Sequence, residues 1–295
     1  MIKNIQKKFP NAIVECDWLH ERIGDEEIRI YDCTTYLHYT DDHPLKPYDV
    51  ESGFVNYKDA HIPNAAFLDL QGDLSEKNSP FSFTLPKLSV LAESFKRHGI
   101  GDPYNIILYS GNGMQWATRV WWMLYVLGYE NVSVLNGGLD EWQRSRFPIE
   151  SKIKKFERAD FQIAIKPNVF VGKGEVLNAI NDDSVRLLNA LTEDLHVGHN
   201  PRYGRPGRIP NSLNIPFHDL IDVRTGKLRS LEEVMEIFKD KGITPELKIL
   251  NYCGGGIAAT LNAFFLLQIG FNKLQIYDNS MSEWAMDENL PIESG

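Results

Sequence analysis

Short apolar runs rich in β-branched residues alternate along the whole chain with longer runs whose apolar positions recur every three or four residues. In the first half, IRIYD (28–32), AAFLDL (65–70), NIILY (105–109) and VSVLN (132–136) predict strands. In the second half, VRLLN (185–189), SLNIP (212–216), KILNY (248–252) and LQIYD (274–278) do the same. Strands that are apolar throughout and interleaved with helices predict an α/β fold, a mostly parallel sheet with helices on both faces. Two helices are expected from Met114 to Leu127 and from Ile257 onward, closed by Gly128 and Gly270 as left-handed caps.

The pattern occurs twice. IILYSGNGMQWAT (106–118) matches KILNYCGGGIAAT (248–260), and HGIGDPYNI (98–106) matches KGITPELKI (241–249). DEWQRSRFPIES matches SEWAMDENLPIES, and HIPNAAFLDL matches RIPNSLNIPF, in the same order and at nearly one displacement. A duplicated domain follows: residues 1–150, a linker at 151–167 that is charged at first and closed by a proline, and residues 168–295. At 295 residues the chain is long enough for two cores.

Composition narrows the function. A net charge of −9 disfavours a general nucleic-acid surface, and no apolar run reaches membrane-spanning length or follows the amino-terminal lysines as a leader would. A cytoplasmic protein without nucleic-acid or membrane partners is expected. The three cysteines, Cys16, Cys33 and Cys253, form no C-x-x-C pair, which argues against a disulfide framework or a cysteine-rich zinc site. His196 and His199 have a metal-compatible spacing but no further ligand set, and no metal site is expected.

Cys253 sits where a strand ends and a helix begins, followed by Gly254, Gly255, Gly256, Ile257 and Ala258. Three glycines let successive amides curl around an anion, and the helix start adds roughly half a positive charge. A cysteine at the lip of such a nest is favoured as its thiolate, so Cys253 is the candidate nucleophile; the bland alternative is a small buried hydrophobe. The first copy has Ser110 at this place, with no obvious base, and is read as non-catalytic. A cysteine phosphatase would need arginine where Ala259 stands, and a papain-like hydrolase would need a histidine partner. His218 and His61 could be proposed, but the sequence places neither beside Cys253. The aromatic run with Trp121 and Trp122 is expected in the core between the halves.

With the duplication, HIPNA, GRIPNS, LNGGLDEW, YDNSMSEW and the cysteine loop assembled, the chain resembles the tandem-domain rhodaneses, the thiosulfate and 3-mercaptopyruvate sulfurtransferases. The resemblance implies two rhodanese-like domains and a cysteine, here Cys253, that accepts sulfane sulfur from a small anionic donor as a persulfide. It then passes the sulfur to a thiophilic acceptor such as cyanide, a thiol or an acceptor protein, with no cofactor required. Departures fall on the donor site: Asn189, Leu191 and Leu195 stand where the family carries its D-x-R-x-x-x-R pattern, and Thr35 replaces a tryptophan. Replacement cations are sought in PRYGRPGR, in Arg205 and Arg208 above all, with Arg202 beside them.

Leaving-group chemistry separates the donors. Sulfite leaves thiosulfate without a proton, whereas mercaptopyruvate leaves as an enolate that must be protonated. Gly255 replaces a serine common in mercaptopyruvate-type loops, and Gln71 and Phe83 replace an aspartate and a histidine of their first domain. A nest of bare amides without a relay therefore predicts thiosulfate. The alternatives are 3-mercaptopyruvate, for which Tyr36 and His218 would be the first proton donors to examine, and a sulfur carrier that does not turn over small donors.

Overall fold

The structure is a computed structural model and describes residues 9, 11–40 and 46–295. Most of the amino-terminal lysine segment read above for a leader lies outside the described residues. No helix among those described is long and apolar enough to cross a membrane.

Twelve strands are described: β1 (Ile13–Val14), β2 (Ile28–Asp32), β3 (Thr35–Tyr39), β4 (Tyr48–Ser52), β5 (Ala65–Phe67), β6 (Asn105–Tyr109), β7 (Val132–Leu135), β8 (Phe170–Val171), β9 (Val185–Asn189), β10 (Leu213–Asn214), β11 (Lys248–Tyr252) and β12 (Leu274–Tyr277). One sheet runs β1-β7-β6-β2-β5 and the other β8-β12-β11-β9-β10, both parallel throughout. Each strand of one sheet has its sequence counterpart at the same place in the other. The duplication read from the sequence is therefore a duplication of topology, and the chain folds as two α/β units.

Each central strand, β6 and β11, leads through a loop into a long helix, Gln115–Val126 and Ala258–Gln268. These two helices pack on each other. Every residue of Ala258–Gln268 is buried, which explains why that run shows no polar face. The Thr118 and Thr260 hydroxyls meet at 2.8 Å, Trp122 Nε1 donates to the Thr260 carbonyl at 2.9 Å, and Trp121 meets Phe264 edge-on at 5.0 Å. The tryptophan run is thus the core between the halves.

The connection between the units adheres to the first. Lys154 bridges Ala66 beside edge strand β5, and the amides of Ala159, Ala164 and Lys166 donate to carbonyls of Lys96, Leu127 and Val126. One element had no signal in the repeat. β3 and β4 form an antiparallel hairpin with Tyr39 opposite Tyr48. Thirty positions separate Asp32 from Ile62, against twenty between Asn189 and Ile209, so the first copy has the extra chain to make it.

Candidate active site

Cys253 follows the central strand β11 at its carboxyl end, the crevice position where parallel sheets hold ligands. It is 2% exposed. Its amide donates to Ser280 Oγ at 3.0 Å, while the amides of Met281 and Ser282 donate to the carbonyls of Cys253 and Gly254. Ser280 itself has φ of 50°, a left-handed residue fixed by its Oγ donating to the Tyr277 carbonyl at 2.8 Å. The loop is therefore stitched to the start of the last helix. Among the described residues, no protein acceptor takes the amides of Gly254, Gly255, Gly256, Ile257 or Ala258. Gly256 is left-handed (φ 72°) and Ile257 right-handed, an alternation that curls consecutive amides inward.

The glycines answer to close neighbours as well as to the nest. A Cβ at Gly254 would strike the Tyr203 hydroxyl, one at Gly255 the Tyr48 hydroxyl, and one at Gly256 the Asp278 carbonyl. The first two contacts put phenols directly on the loop. A cavity of about 70 Å³ opens in front of Cys253, walled by Leu37, Tyr39, Tyr48, Phe83, Gln115 and Trp116 of the first unit and by Leu191, Tyr203 and Phe217 of the second. Leu37, Tyr39 and Tyr48 lie on one face of the hairpin, as the alternation of strand side chains requires. No charged side chain lines this cavity among the described residues. In such apolar surroundings unpaired amides act on an anion more strongly than in water.

The expected cations are engaged elsewhere. Arg205 donates to four carbonyls, those of Trp284 (3.1 Å), Ala285 (3.0 Å), Leu290 (2.9 Å) and Asp287 (2.5 Å), and so caps the last helix. Arg208 pairs with Glu293 and donates to the Gly295 carbonyl at 2.8 Å. Neither lines the cavity, which corrects the assignment of these two residues to donor binding. Their guanidinium donors are spent on the carboxyl-terminal segment. Arg202 differs: its guanidinium lies 3.9 Å from the centre of the Tyr39 ring, over a residue of the cavity wall, and its Nε is buried without a partner.

Leu191 stands on the cavity wall and Leu195 in the core, so the places of the family's arginines are apolar. Asn189 Oδ1 accepts from the Leu191 amide at 3.0 Å and its amide group meets His196 Nδ1 at 3.1 Å. His61 is buried against Tyr57 with Nδ1 2.5 Å from the Tyr57 carbonyl, and His218 lies tilted against the Phe217 ring without lining the cavity. Tyr36 does not line it either. Gln71 and Phe83 do meet, since Gln71 Oε1 accepts from the Phe83 amide at 2.9 Å and Phe83 closes the cavity.

Ser110 donates to the Gly113 carbonyl, and its loop is tied down where the Gly111 amide donates to Thr34 Oγ1 at 2.9 Å. In that copy the first amide after the serine is thus already taken. Burial pushes the Cys16 thiol up to about 12 and the Cys33 thiol well above its usual range, so neither supplies a thiolate near neutrality. Burial likewise holds the phenols of Tyr48 and Tyr203 well above the usual tyrosine range, so both stay protonated. The premise of a nest without hydroxyls, on which thiosulfate was favoured, does not hold.

One residue that the sequence did not single out crosses between the units. Arg119, wholly buried on the helix Gln115–Val126, donates through Nη2 to Asp278 Oδ1 at 2.6 Å and to the Phe83 carbonyl at 2.7 Å. Its Nη1 reaches the Gly256 carbonyl at 3.2 Å. Asp278 also accepts from the Leu85 amide at 2.7 Å. An arginine inside an otherwise apolar helix was the available signal.

Comparison with known proteins decides the family. The rhodanese-like domain family matches twice, over residues 15–145 and 173–287. The chain belongs to the rhodanese family. It is 31% identical over 283 residues to the 3-mercaptopyruvate sulfurtransferase of Escherichia coli K12, covering 95% of this chain and 97% of that one. It is 30% identical over 304 residues to thiosulfate/3-mercaptopyruvate sulfurtransferase 2 of Arabidopsis thaliana, covering 95% and 86%. The crystal structure of SseA from Escherichia coli, described as a 3-mercaptopyruvate sulfotransferase, superposes with a TM-score of 0.75 at 28% identity over 92% of this rhodanese and 98% of that chain. This rhodanese is accordingly a sulfurtransferase with two rhodanese domains.

Proposed function

We propose that this rhodanese takes sulfur from 3-mercaptopyruvate onto Cys253 and delivers it to a thiophilic acceptor, cyanide in the assay and a thiol otherwise. The observation that carries the choice of donor is the pair of protonated phenols, Tyr203 over Gly254 and Tyr48 over Gly255, in a cavity with no cation on its walls. The Cys253 thiolate attacks the donor's sulfur, a sulfur–sulfur bond forms, and the carbon–sulfur bond breaks. The electron pair leaves as the enolate of pyruvate, which takes a proton from a phenol that solvent then restores. The persulfide is held by the free amides from Gly254 to Ala258. Thiosulfate, with a second negative charge and a leaving group that needs no proton, gains least from these walls. Arg119 is held by Asp278 and the Phe83 carbonyl, so Arg202, stacked above Tyr39 with its Nε unpartnered, is assigned the donor's carboxylate. The relatives whose names include 3-mercaptopyruvate support the same donor.

The test follows thiocyanate from each donor at neutral pH, together with intact mass after donor alone. The native protein should gain one sulfur atom and show the higher kcat/KM with 3-mercaptopyruvate. Cys253→Ser should lose both adduct and turnover, while Cys16→Ser and Cys33→Ser keep them. Tyr48→Phe with Tyr203→Phe should lower kcat at least about tenfold with mercaptopyruvate, the low end of general-acid effects, and far less with thiosulfate. A clear preference for thiosulfate, or equal losses with both donors, would reject the donor assignment.

A further inference from the structure

Tyr48 and Tyr203 have a second side. Behind them lies a cleft of about 400 Å³ between the two units, walled by Lys46, Pro47, Pro80, Phe81 and Ser82 of the first and by Ser282 and Met286 of the second. The two phenols belong to both linings and are the partition between the cleft and the Cys253 cavity. The cleft is of the size that takes a small organic molecule, and the inner cavity, which receives the donor first, is narrower still once the transferred sulfur stands on Cys253. At the partition, Ser282 Oγ is buried and lacks a well-formed hydrogen bond. Phe81 and Met286 continue the cleft outward into a wider mouth that carries Glu283, Asp287, Glu288 and Lys173. Lys173 is paired with Asp287 at 2.8 Å and Lys46 with Asp49, which leaves Glu283 and Glu288 to set the sign of the mouth. Such a mouth repels the anionic donor, and Arg202 lies by Tyr39, which lines the inner cavity and not the cleft.

We infer that this outer cleft is the acceptor's subsite, separate from the donor's, and that it takes an uncharged or cationic low-molecular-weight thiol. The inference rests on the Cys253 persulfide proposed above. The thiol's carbon body packs on Pro47, Phe81 and Met286, with its sulfur toward the partition near Ser282. A ring rotation of Tyr48 or Tyr203 joins cleft and cavity. The acceptor thiolate then attacks the outer sulfur of the persulfide. A new sulfur–sulfur bond forms on the acceptor, the one to Cys253 breaks, and Cys253 leaves as the thiolate that the loop amides hold. The acceptor departs as its own persulfide, and no outside oxidant or reductant is needed. Cyanide, a linear two-atom anion, fits the inner cavity and needs no cleft.

Met286→Trp and Ser82→Trp fill the cleft from opposite walls without touching the Cys253 cavity. Each is loaded with donor, checked by intact mass, then discharged with cyanide, 2-mercaptoethanol, cysteamine or 3-mercaptopropionate. Loading and cyanide discharge should stay within about twofold of the native protein, while kcat/KM for 2-mercaptoethanol and cysteamine falls at least about tenfold. In the native protein, the preference for cysteamine over 3-mercaptopropionate, compared at equal thiolate concentration, should shrink as salt is raised. Glu288→Lys should cut it severalfold. Thiol discharge unchanged in both tryptophan variants, or cyanide slowed as much as thiols, overturns the acceptor cleft. A native protein that never gains sulfur would instead reject the Cys253 reading, so the two failures are told apart.

Discussion

Three arginines of one loop have different fates, and each can be tested singly. Arg205 and Arg208 hold the carboxyl-terminal segment through carbonyls and Glu293, so Arg205→Ala and Arg208→Ala should lower stability by about 1–3 kcal/mol per lost set of charge-assisted bonds and leave the donor's KM unchanged. Denaturant titration beside donor kinetics checks both. Arg202→Ala should do the reverse, raising the KM for 3-mercaptopyruvate about tenfold with little change in melting temperature. His196 gives a pH signature. Burial, with Arg208 nearby, lowers its pKa from 6.5 to about 4, so the folded protein holds it neutral where the unfolded chain protonates it. The stability this withholds from the unfolded state is intact above pH 6.5 and is lost as pH falls toward about 4. At about 1.4 kcal/mol per pKa unit the loss is on the order of 3 kcal/mol by pH 4. His196→Gln should flatten urea midpoints across that window.

At the scale of elements, the cysteine loop combines a nest with tight clearances, and Gly256 carries both. It is left-handed, and a side chain there would meet the Asp278 carbonyl. Gly256→Ala should cost at least about 1–2 kcal/mol and abolish persulfide accumulation, read by melting temperature and intact mass. This loop was legible because it needs glycines in a row after an apolar strand. The strands IRIYD, NIILY, VRLLN and KILNY were legible to the residue, each an apolar run buried on both faces. The hairpin β3–β4 was not, because TYLHY and YDVES are half polar and have no counterpart in the second copy to flag them. With the hairpin went Tyr39 and Tyr48, and the hydroxyl that Tyr48 sets on Gly255; Tyr203, which sets the other on Gly254, stood in PRYGRPGR, a stretch read only for its arginines. Arg205 and Arg208 were misjudged for a related reason: a sequence shows that a cation is present but not which carbonyls it satisfies.

At the scale of the whole molecule, Arg119 joins the two units to the reacting loop. Its pair with Asp278 is buried, so Arg119→Met should cost about 3–5 kcal/mol by stranding a carboxylate, and Asp278→Asn less. A double-mutant cycle in urea should return a coupling energy of more than about 1 kcal/mol, whereas additive losses would mean the pair is only incidental to the interface. Every first-unit residue at the site, from Leu37 and Tyr48 to Trp116, is a wall residue, and the thiol belongs to the second. In the first unit the corresponding position is Ser110, whose hydroxyl donates to the Gly113 carbonyl. The cavity is therefore shared: the first unit gives it Leu37, Tyr39, Tyr48, Phe83 and Trp116, and the second adds Leu191 and Tyr203, with Arg202 behind Tyr39, to its own thiol. A lineage could exchange one donor for another by changes in these walls, from Leu37 to Trp116 and at Leu191, Arg202 and Tyr203, while its nucleophile stays untouched, and variants selected for new donors should carry their substitutions there.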